Sequence, residues 1–152
     1  MDYLHPKLDD AAIARMSSLA LAHVGDAVYE ILVRTHLACG GTQTAKNLHS
    51  QTITLVRASA QAKAIEHILP DLTEEEHAVY KRGRNAKSFS MAKNATMKDY
   101  RMATGFEALM GYLYLSGRTE RMVDLVALAM TKTGKADSGD MEKQKEENSD
   151  EI

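Results

Sequence analysis

Helical periodicity is the feature that most constrains this chain. Apolar residues recur at spacings of three and four through long windows, which is the pattern of one buried helix face. Only two prolines, Pro6 and Pro70, stand in a chain of 152 residues, so little interrupts helix formation. No window shows the sustained alternation of apolar and polar residues that a strand requires. The chain is therefore predicted to be all-α.

Capping residues and glycines set the predicted helix ends. The first long helix begins at about Ala12 or Ser17 and ends at Ala38, because Gly40 and Gly41 follow it. Later helices begin after a threonine cap or end before a proline. The remaining predicted helices cover about 44–51, 53–68, 73–80, 97–115 and 119–131, and 83–96 is predicted to be a loop.

Charge is unevenly distributed along the chain. The 19 Lys and Arg residues and 21 Asp and Glu residues give a formal charge of −2, which taken alone argues against a nucleic-acid binder. Residues 135–152 carry a charge of −4, whereas 81–101 carry +6, with seven basic side chains and one acidic one. We therefore expect one folded domain over 1–134 that contains a basic segment, followed by an acidic, disordered tail over 135–152.

The expected compartment follows from cysteine usage and the N-terminus. A single cysteine, Cys39, cannot form an intramolecular disulfide, and the first residues lack the basic and apolar regions of an export signal. The most apolar stretch, 19–33, contains His23, Asp26 and Glu30, so it is too polar to span a bilayer. These features predict a cytosolic protein.

Three acids lie on predicted helices that are otherwise apolar. Asp26 and Glu30 are four residues apart on one helix face, and Glu107 lies among apolar residues of the helix 97–115. Acids in such places usually have a cationic side chain, a metal ion or hydrogen bonds that offset the cost of burial. One interpretation is an ion pair with an arginine such as Arg34 or Arg101. The other is a divalent cation such as Mg²⁺, which one or two carboxylates often hold together with water.

Spacing alone leaves these alternatives open. Asp26 and Glu107 are 81 residues apart in sequence, and periodicity does not show that they meet. Gly25 precedes Asp26 in mid-helix, where glycine costs about 1 kcal/mol relative to alanine. It indicates either tight helix packing or close approach of a substrate or metal ion. His23, three residues before Asp26, is interpreted as structural rather than as a metal ligand.

The basic segment 81–87 is the second candidate site. Arg82, Arg84 and Lys87 offer the side chains that bind phosphates, and Gly83 and Asn85 would allow a sugar–phosphate chain to approach. A solvated charged face is the alternative. The predicted loop holds a single aromatic residue, so double-stranded nucleic acid, bound through its backbone and shape, is favoured over a single strand. The sequence contains no Walker loop, GxGxxG, nucleophile elbow or HExxH motif.

Two motifs together indicate a family. The run 19–28, LALAHVGDAV, resembles the ribonuclease III signature, and 106–115, FEALMGYLYL, resembles the second acidic helix of that family. Leu19, Ala22 and Thr104 stand where the family usually has acids. No double-stranded-RNA-binding domain is expected after residue 134. Both departures resemble the short bacterial Mini-ribonuclease III subfamily, whose RGRNAK segment is matched by 82–87.

The resemblance implies an all-α homodimer built on the ribonuclease III-type endonuclease domain. It implies a Mg²⁺-dependent endoribonuclease that cleaves double-stranded RNA in the maturation of large-subunit ribosomal RNA, leaving 5′-phosphate and 3′-hydroxyl ends. Asp26 would be the essential catalytic carboxylate and Glu107 a catalytic metal ligand, with both holding the ion. Glu30 has no clear family role and is kept as a structural or supporting candidate.

The basic segment is expected to bind the RNA substrate, and one alternative function remains. Arg82, Arg84, Asn85 and Lys87 would bind RNA in place of the absent RNA-binding domain. Because fewer carboxylates are present than in the longer enzymes, a second hypothesis stays open. In it, the chain is a ribonuclease-III-like dimeric module that binds RNA without cutting it.

Overall fold

A computed structural model describes residues 1–87 and 96–132 of the chain. Within these ranges the regular elements are helices, and no strand is present. The all-α prediction is confirmed. Residues 88–95 and the predicted tail 135–152 lie outside the described ranges. The helices are α1 (Asp10–Ala14), α2 (Ser18–Cys39), α3 (Ala45–Val56), α4 (Ala58–Ile68), α5 (Glu74–Asn85), α6 (Met97–Leu115) and α7 (119–132), with a short 3-10 turn over Leu69–Asp71.

Side-chain caps explain most of the helix starts. The hydroxyls of Ser17, Thr44 and Thr96 each accept a hydrogen bond from the backbone N–H three residues ahead. At the start of α5, the threonine cap is Thr73, which forms a reciprocal capping box with Glu76. Of the two predicted starts for the first long helix, the one at Ser17 is therefore correct, and α1 is a separate short helix.

The break between α3 and α4 was predicted at the wrong place. The sequence predicted a gap near residues 51–53, but α3 continues to Val56 and the backbone becomes extended at Arg57, with φ −63° and ψ 155°. The amide N–H of Ala60 then bonds to the carbonyl of Arg57 at 3.0 Å. The Val56 carbonyl, left without its helical partner, accepts a hydrogen bond from the side chain of Gln61 at 2.8 Å. Helical periodicity does not indicate this hydrogen bond, so it could not place the break.

The predicted loop 83–96 also begins too early, because α5 runs to Asn85. Gly83 is buried inside this helix, and a Cβ atom there would lie 2.7 Å from Cβ of Ala108 and 2.9 Å from Cα of Gly105. Gly83 is therefore needed for close packing of α5 on α6. It does not serve the backbone approach to a phosphate that the sequence suggested.

Helix α6 is the central element of the fold. Every residue from Met102 to Leu113 is buried except Glu107, which is half-buried. Helices α2, α4 and α5 all pack against α6, and the ring of Tyr29 on α2 meets that of Phe106 edge-on, with centroids 4.9 Å apart. None of the described helices combines the length and the hydropathy needed to cross a bilayer.

One buried acid in the fold is structural. Glu76 is 2% exposed, and Arg121 donates to both of its carboxylate oxygens at 2.9 Å. The hydrogen bonds from Arg121 hold the pKa of Glu76 below its usual range, in spite of its burial. This pair ties α7 to the start of α5.

Candidate active site

The crossing of α2 and α6 brings two of the predicted site residues together. A Cβ atom on Gly25 would overlap the backbone carbonyl of Glu107 and lie 2.6 Å from the backbone nitrogen of Gly111. A Cβ atom on Gly111 would in turn overlap the carbonyl oxygen of Leu21. Only glycine at both positions allows the two backbones to touch. Asp26, next to Gly25, is therefore held beside Glu107, although the two acids are far apart in sequence.

The negative charge of Asp26 acts on Glu107 across the crossing. Glu107 is half-buried and Asp26 is exposed. Burial and the neighbouring charge of Asp26 raise the pKa of Glu107 to about 7. Partial burial and then the charge of Glu30 raise the pKa of Asp26, while the nearby His23 lowers it. No lysine or arginine within 1–87 and 96–132 forms an ion pair with Asp26 or Glu107.

Glu30 has a cationic partner, whereas none of the described lysines and arginines pairs with Asp26 or Glu107. Nε of Arg34, one turn further along α2, donates to Oε1 of Glu30 at 2.9 Å. The ion-pair interpretation thus holds for Glu30, and among the residues that the structure describes it does not hold for Glu107 or Asp26. Glu30 contributes to the site through its charge, which acts on Asp26.

The donor set at the crossing fits a hydrated hard cation. Two carboxylates supply oxygen ligands, and Mg²⁺ is commonly held by one or two carboxylates while it keeps several waters. Thr104, where the family usually has an aspartate, donates its hydroxyl to the carbonyl of Tyr100 at 3.0 Å. In the described part of the chain no cluster of three or more His, Cys, Asp or Glu side chains could hold a metal ion. Asp26 and Glu107 are therefore the two candidate ligands that this crossing offers.

Gln61 is a polar neighbour of the site that the sequence analysis did not single out. It is 2% exposed, and its Nε2 donates to the Val56 carbonyl at 2.8 Å. The neighbouring Gln61 amide lowers the pKa of Glu107, but by less than burial raises it. The sequence feature that could have indicated Gln61 is a single amide side chain on the buried face of α4, among small and apolar residues.

The basic end of α5 presents its side chains in different directions. Arg82 and Lys87 are exposed. Arg84, two residues beyond Arg82, points to the other side of the helix, where its guanidinium lies 5.6 Å from the ring centroid of Tyr80. Nε of Arg84 also donates to the Asn85 side chain at 3.3 Å. Arg84 lines a cleft of about 500 Å³ with residues that include Asn85, Glu66, Lys98 and Arg101.

Comparison with known proteins decides the family. The family model described as "Ribonuclease III domain" matches residues 19–118, which contain both acids of the crossing. The chain belongs to the ribonuclease III family. It is therefore an endoribonuclease, as the two motifs in the sequence predicted.

Several similar proteins carry the name Mini-ribonuclease 3. The chain is 49% identical to Mini-ribonuclease 3 of Clostridium tetani over 78% of this chain and 79% of that protein. It is 48% identical to Mini-ribonuclease 3 of Enterococcus faecalis over 79% of this chain and 92% of that protein. A crystal structure of a Fusobacterium nucleatum protein superposes with a TM-score of 0.71 at 29% identity, covering 80% of this chain and 97% of that one.

Proposed function

We propose that this ribonuclease III-type enzyme cleaves double-stranded RNA with Mg²⁺ held by Asp26 and Glu107. One observation carries the proposal. Two carboxylates meet at a backbone-to-backbone helix crossing, and no ion pair with a described lysine or arginine offsets their charge. An uncompensated pair of this kind, one of them half-buried, is costly unless a cation binds.

Each acid has a defined task in this proposal. Asp26, exposed on α2, faces solvent and substrate, while Glu107 binds in its ionised form from inside the crossing. When bound, Mg²⁺ would activate water and neutralise charge on the scissile phosphate. The oxygen of water bonds to phosphorus as the bond to the 3′ oxygen breaks, so the products carry 5′-phosphate and 3′-hydroxyl ends. Glu30, already paired with Arg34, supports the negative potential around Asp26.

RNA binding is assigned to the basic end of α5. Arg82, Arg84, Asn85 and Lys87 would contact phosphate and sugar groups of the duplex. Because Arg82 and Arg84 point to different sides of the helix, we assign them to different phosphates. Contacts of this kind position a duplex without reading its sequence.

A homodimer is part of the proposal. Leu19, His23, Ala27 and Ile31 form an exposed stripe at four-residue spacing along α2, and Leu19 and Ile31 are 39% and 63% exposed. A two-fold axis along such a stripe would place one carboxylate pair on each strand of a duplex. The substrate we propose is a precursor of large-subunit ribosomal RNA, processed in the cytoplasm.

The central experiment separates cleavage from binding. Long duplex RNA is incubated with the protein in Mg²⁺ and, in parallel, in chelator. Fragments with 5′-phosphate ends are expected only in Mg²⁺. Asp26→Asn should abolish cleavage while it leaves folding and RNA affinity intact. The matched control is Asp124→Asn, which replaces an exposed acid on α7. This variant should cleave RNA at the normal rate.

Other outcomes would favour the binding module instead. RNA that binds tightly but stays intact in Mg²⁺ at micromolar protein would contradict the enzymatic proposal. Sedimentation equilibrium tests the dimer, and Ile31→Glu is expected to shift it toward monomer. A transcript that spans the ends of large-subunit ribosomal RNA tests the substrate, because specific cuts near those ends are expected.

A further inference from the structure

A basic cavity lies away from the carboxylate pair. The C-terminal halves of α2 and α7 and the break between α3 and α4 enclose a volume of about 380 Å³, which is lined by His36, Arg57 and Lys63. None of the described residues that line it is an acid. Arg57 and Lys63 are exposed, and no described aspartate or glutamate forms an ion pair with either. The described part of the chain therefore supplies no negative charge to balance this cluster.

The first turn of α4 adds to the positive potential of the cavity. Ser59 and Ala60 line it, and the side chain of Arg57, the residue before α4, makes no capping hydrogen bond. By contrast, hydroxyl groups cap α2, α3, α5 and α6. The first N–H groups of a helix have no partner within the helix and form the positive end of its dipole. Carboxylates are therefore favoured on this side of the cavity.

The chain carries a group of acids close to this cavity in sequence. Ala129 and Met130 of α7 line the cavity, and the described range ends two residues later at Lys132. Residues 133–152 follow, and within them 137–142 contain three acids and no base. An extended chain spans at most about 3.6 Å per residue, so Asp137 can reach up to about 18 Å from Lys132. Because Met130 is part of the cavity wall, this reach covers the basic side chains.

We propose that the acidic segment 137–142 of the same chain docks on this cavity, with its carboxylates on the basic side chains. An isolated ion pair on a protein surface contributes little to stability. A tethered segment differs, because a short linker holds it at an effective concentration of about millimolar. The contact involves neither Asp26 nor Glu107, so it does not depend on the proposed function.

The single cysteine of the chain provides the probe for this contact. Cys39 is exposed and lies three residues beyond His36 on α2, so it is a surface neighbour of the cavity. A spin label on Cys39 of the full-length, ¹⁵N-labelled protein should broaden the backbone amide signals of 137–142 at low salt. At about 1 M salt, where the Debye length is about 3 Å, the broadening should disappear. Signals of 137–142 that stay sharp at low salt would overturn the proposal.

Replacing acids beyond α7 tests their charge and leaves every residue of the cavity unchanged. One variant neutralises the acids of 137–142 by Asp137→Asn, Asp140→Asn and Glu142→Gln. The matched control removes three charges further along the chain by Glu147→Gln, Asp150→Asn and Glu151→Gln. The first variant should lose most of the broadening of 137–142, whereas the control should keep most of it, because effective concentration falls with linker length. Equal losses in the two variants would contradict docking of 137–142.

Charge reversals in the fold identify the docking surface. Arg57→Glu should release 137–142 and sharpen its signals. Arg82→Glu makes the same change of charge at the basic end of α5 and should leave the broadening in place. Release by Arg82→Glu and not by Arg57→Glu would assign the segment to α5 and overturn the proposal.

A mixed sample tests whether the segment docks on its own chain. Spin-labelled ¹⁴N protein is combined with ¹⁵N protein that carries no spin label, so that any broadening arises between copies. The signals of 137–142 should stay sharp in this mixture. Broadening as strong as in the singly labelled protein would mean that the segment docks on a second copy, which would overturn the assignment to the same chain.

Discussion

The main chain of Glu107 and the α carbon of Gly25 are in direct contact. A Cβ atom added to Gly25 would overlap the Glu107 carbonyl, and backbone, unlike the end of a flexible side chain, cannot move aside. The same contact fixes how far Asp26 lies from Glu107. The stability of the fold and the geometry of the carboxylate pair thus depend on one glycine.

Gly25→Ala is expected to destabilise the protein strongly. Overpacking costs about 1–3 kcal/mol and occasionally more, and a clash with backbone belongs at the upper end, well above the ~1 kcal/mol that alanine gains over glycine in a helix. We expect a loss of about 3 kcal/mol in the free energy of unfolding, measured by urea denaturation. The control is Gly40→Ala, where a Cβ atom would make ordinary contacts at 3.4 Å. Similar urea midpoints for the two variants would contradict the backbone contact.

Glu107→Gln is expected to stabilise the metal-free protein at high pH. The pKa of Glu107 is raised from 4.5 to about 7 in the folded state, so the folded protein holds this proton more tightly than the unfolded chain. Its contribution to stability is complete below about pH 4.5 and is lost as the pH rises through 7. At pH 8 the ionised carboxylate opposes folding, and the neutral amide should raise the free energy of unfolding by about 2 kcal/mol.

Urea denaturation in chelator at pH 5 and pH 8 checks this expectation. The difference between Glu107→Gln and the unmodified protein should be larger at pH 8. Glu120→Gln removes an exposed carboxylate on α7 and should change stability little at either pH. A Glu107→Gln variant that is less stable at pH 8 would mean that the ionised carboxylate already has a cationic partner.

Much of this fold was predictable because its signals are local. The hydroxyl caps at Ser17, Thr44 and Thr73, and the stop at Ser116 and Gly117 after α6, depend on neighbours within a few residues. The helix containing Glu107 was therefore predicted with its observed ends, Met97 and Leu115. Periodicity and capping chemistry were sufficient for these elements.

The parts that were missed depend on contacts that helical periodicity does not report. At the α3–α4 break, the Gln61 amide bonds to the Val56 carbonyl five residues earlier. The extension of α5 to Asn85 depends on Gly83, which packs against the distant helix α6. The two site acids were singled out by their apolar helices and given roles by a motif resemblance, but their proximity depends on Gly25 and Gly111 from different helices. One-dimensional spacing does not encode such pairs. The assignments to RNA and to Mg²⁺ stay predictions.

Metal affinity is expected to depend on pH through Glu107. Its pKa of about 7 means that a proton and the cation compete for the carboxylate near neutrality. The association constant for Mn²⁺ should fall about tenfold per pH unit below 7 and level off above it. At a higher Mg²⁺ concentration, the fall in cleavage rate on the acid side of the pH–rate profile should therefore occur at lower pH. Calorimetry between pH 5.5 and 8.5 measures the first effect, and an affinity independent of pH over that range would contradict it.

Arg82 and Arg84 should respond differently to replacement, although both lie in the same basic segment. Arg82 is exposed, so Arg82→Ala should leave stability unchanged and lower the slope of log affinity against log salt for duplex RNA by about 1. Arg84 lies over Tyr80. Arg84→Ala should weaken RNA binding and also cost about 0.5–1 kcal/mol of stability, because the cation–π contact is lost.

Lys63→Ala provides the matched control for these two arginines. Lys63 is an exposed cation on α4, two residues from Gln61 and hence on the opposite side of that helix. The variant removes the same charge as Arg82→Ala, so any effect of net charge alone appears equally in both. If Lys63→Ala lowers the slope of log affinity against log salt as much as Arg82→Ala does, duplex affinity depends on the overall charge of the protein. A slope changed only by Arg82→Ala and Arg84→Ala would assign the phosphate contacts to the end of α5.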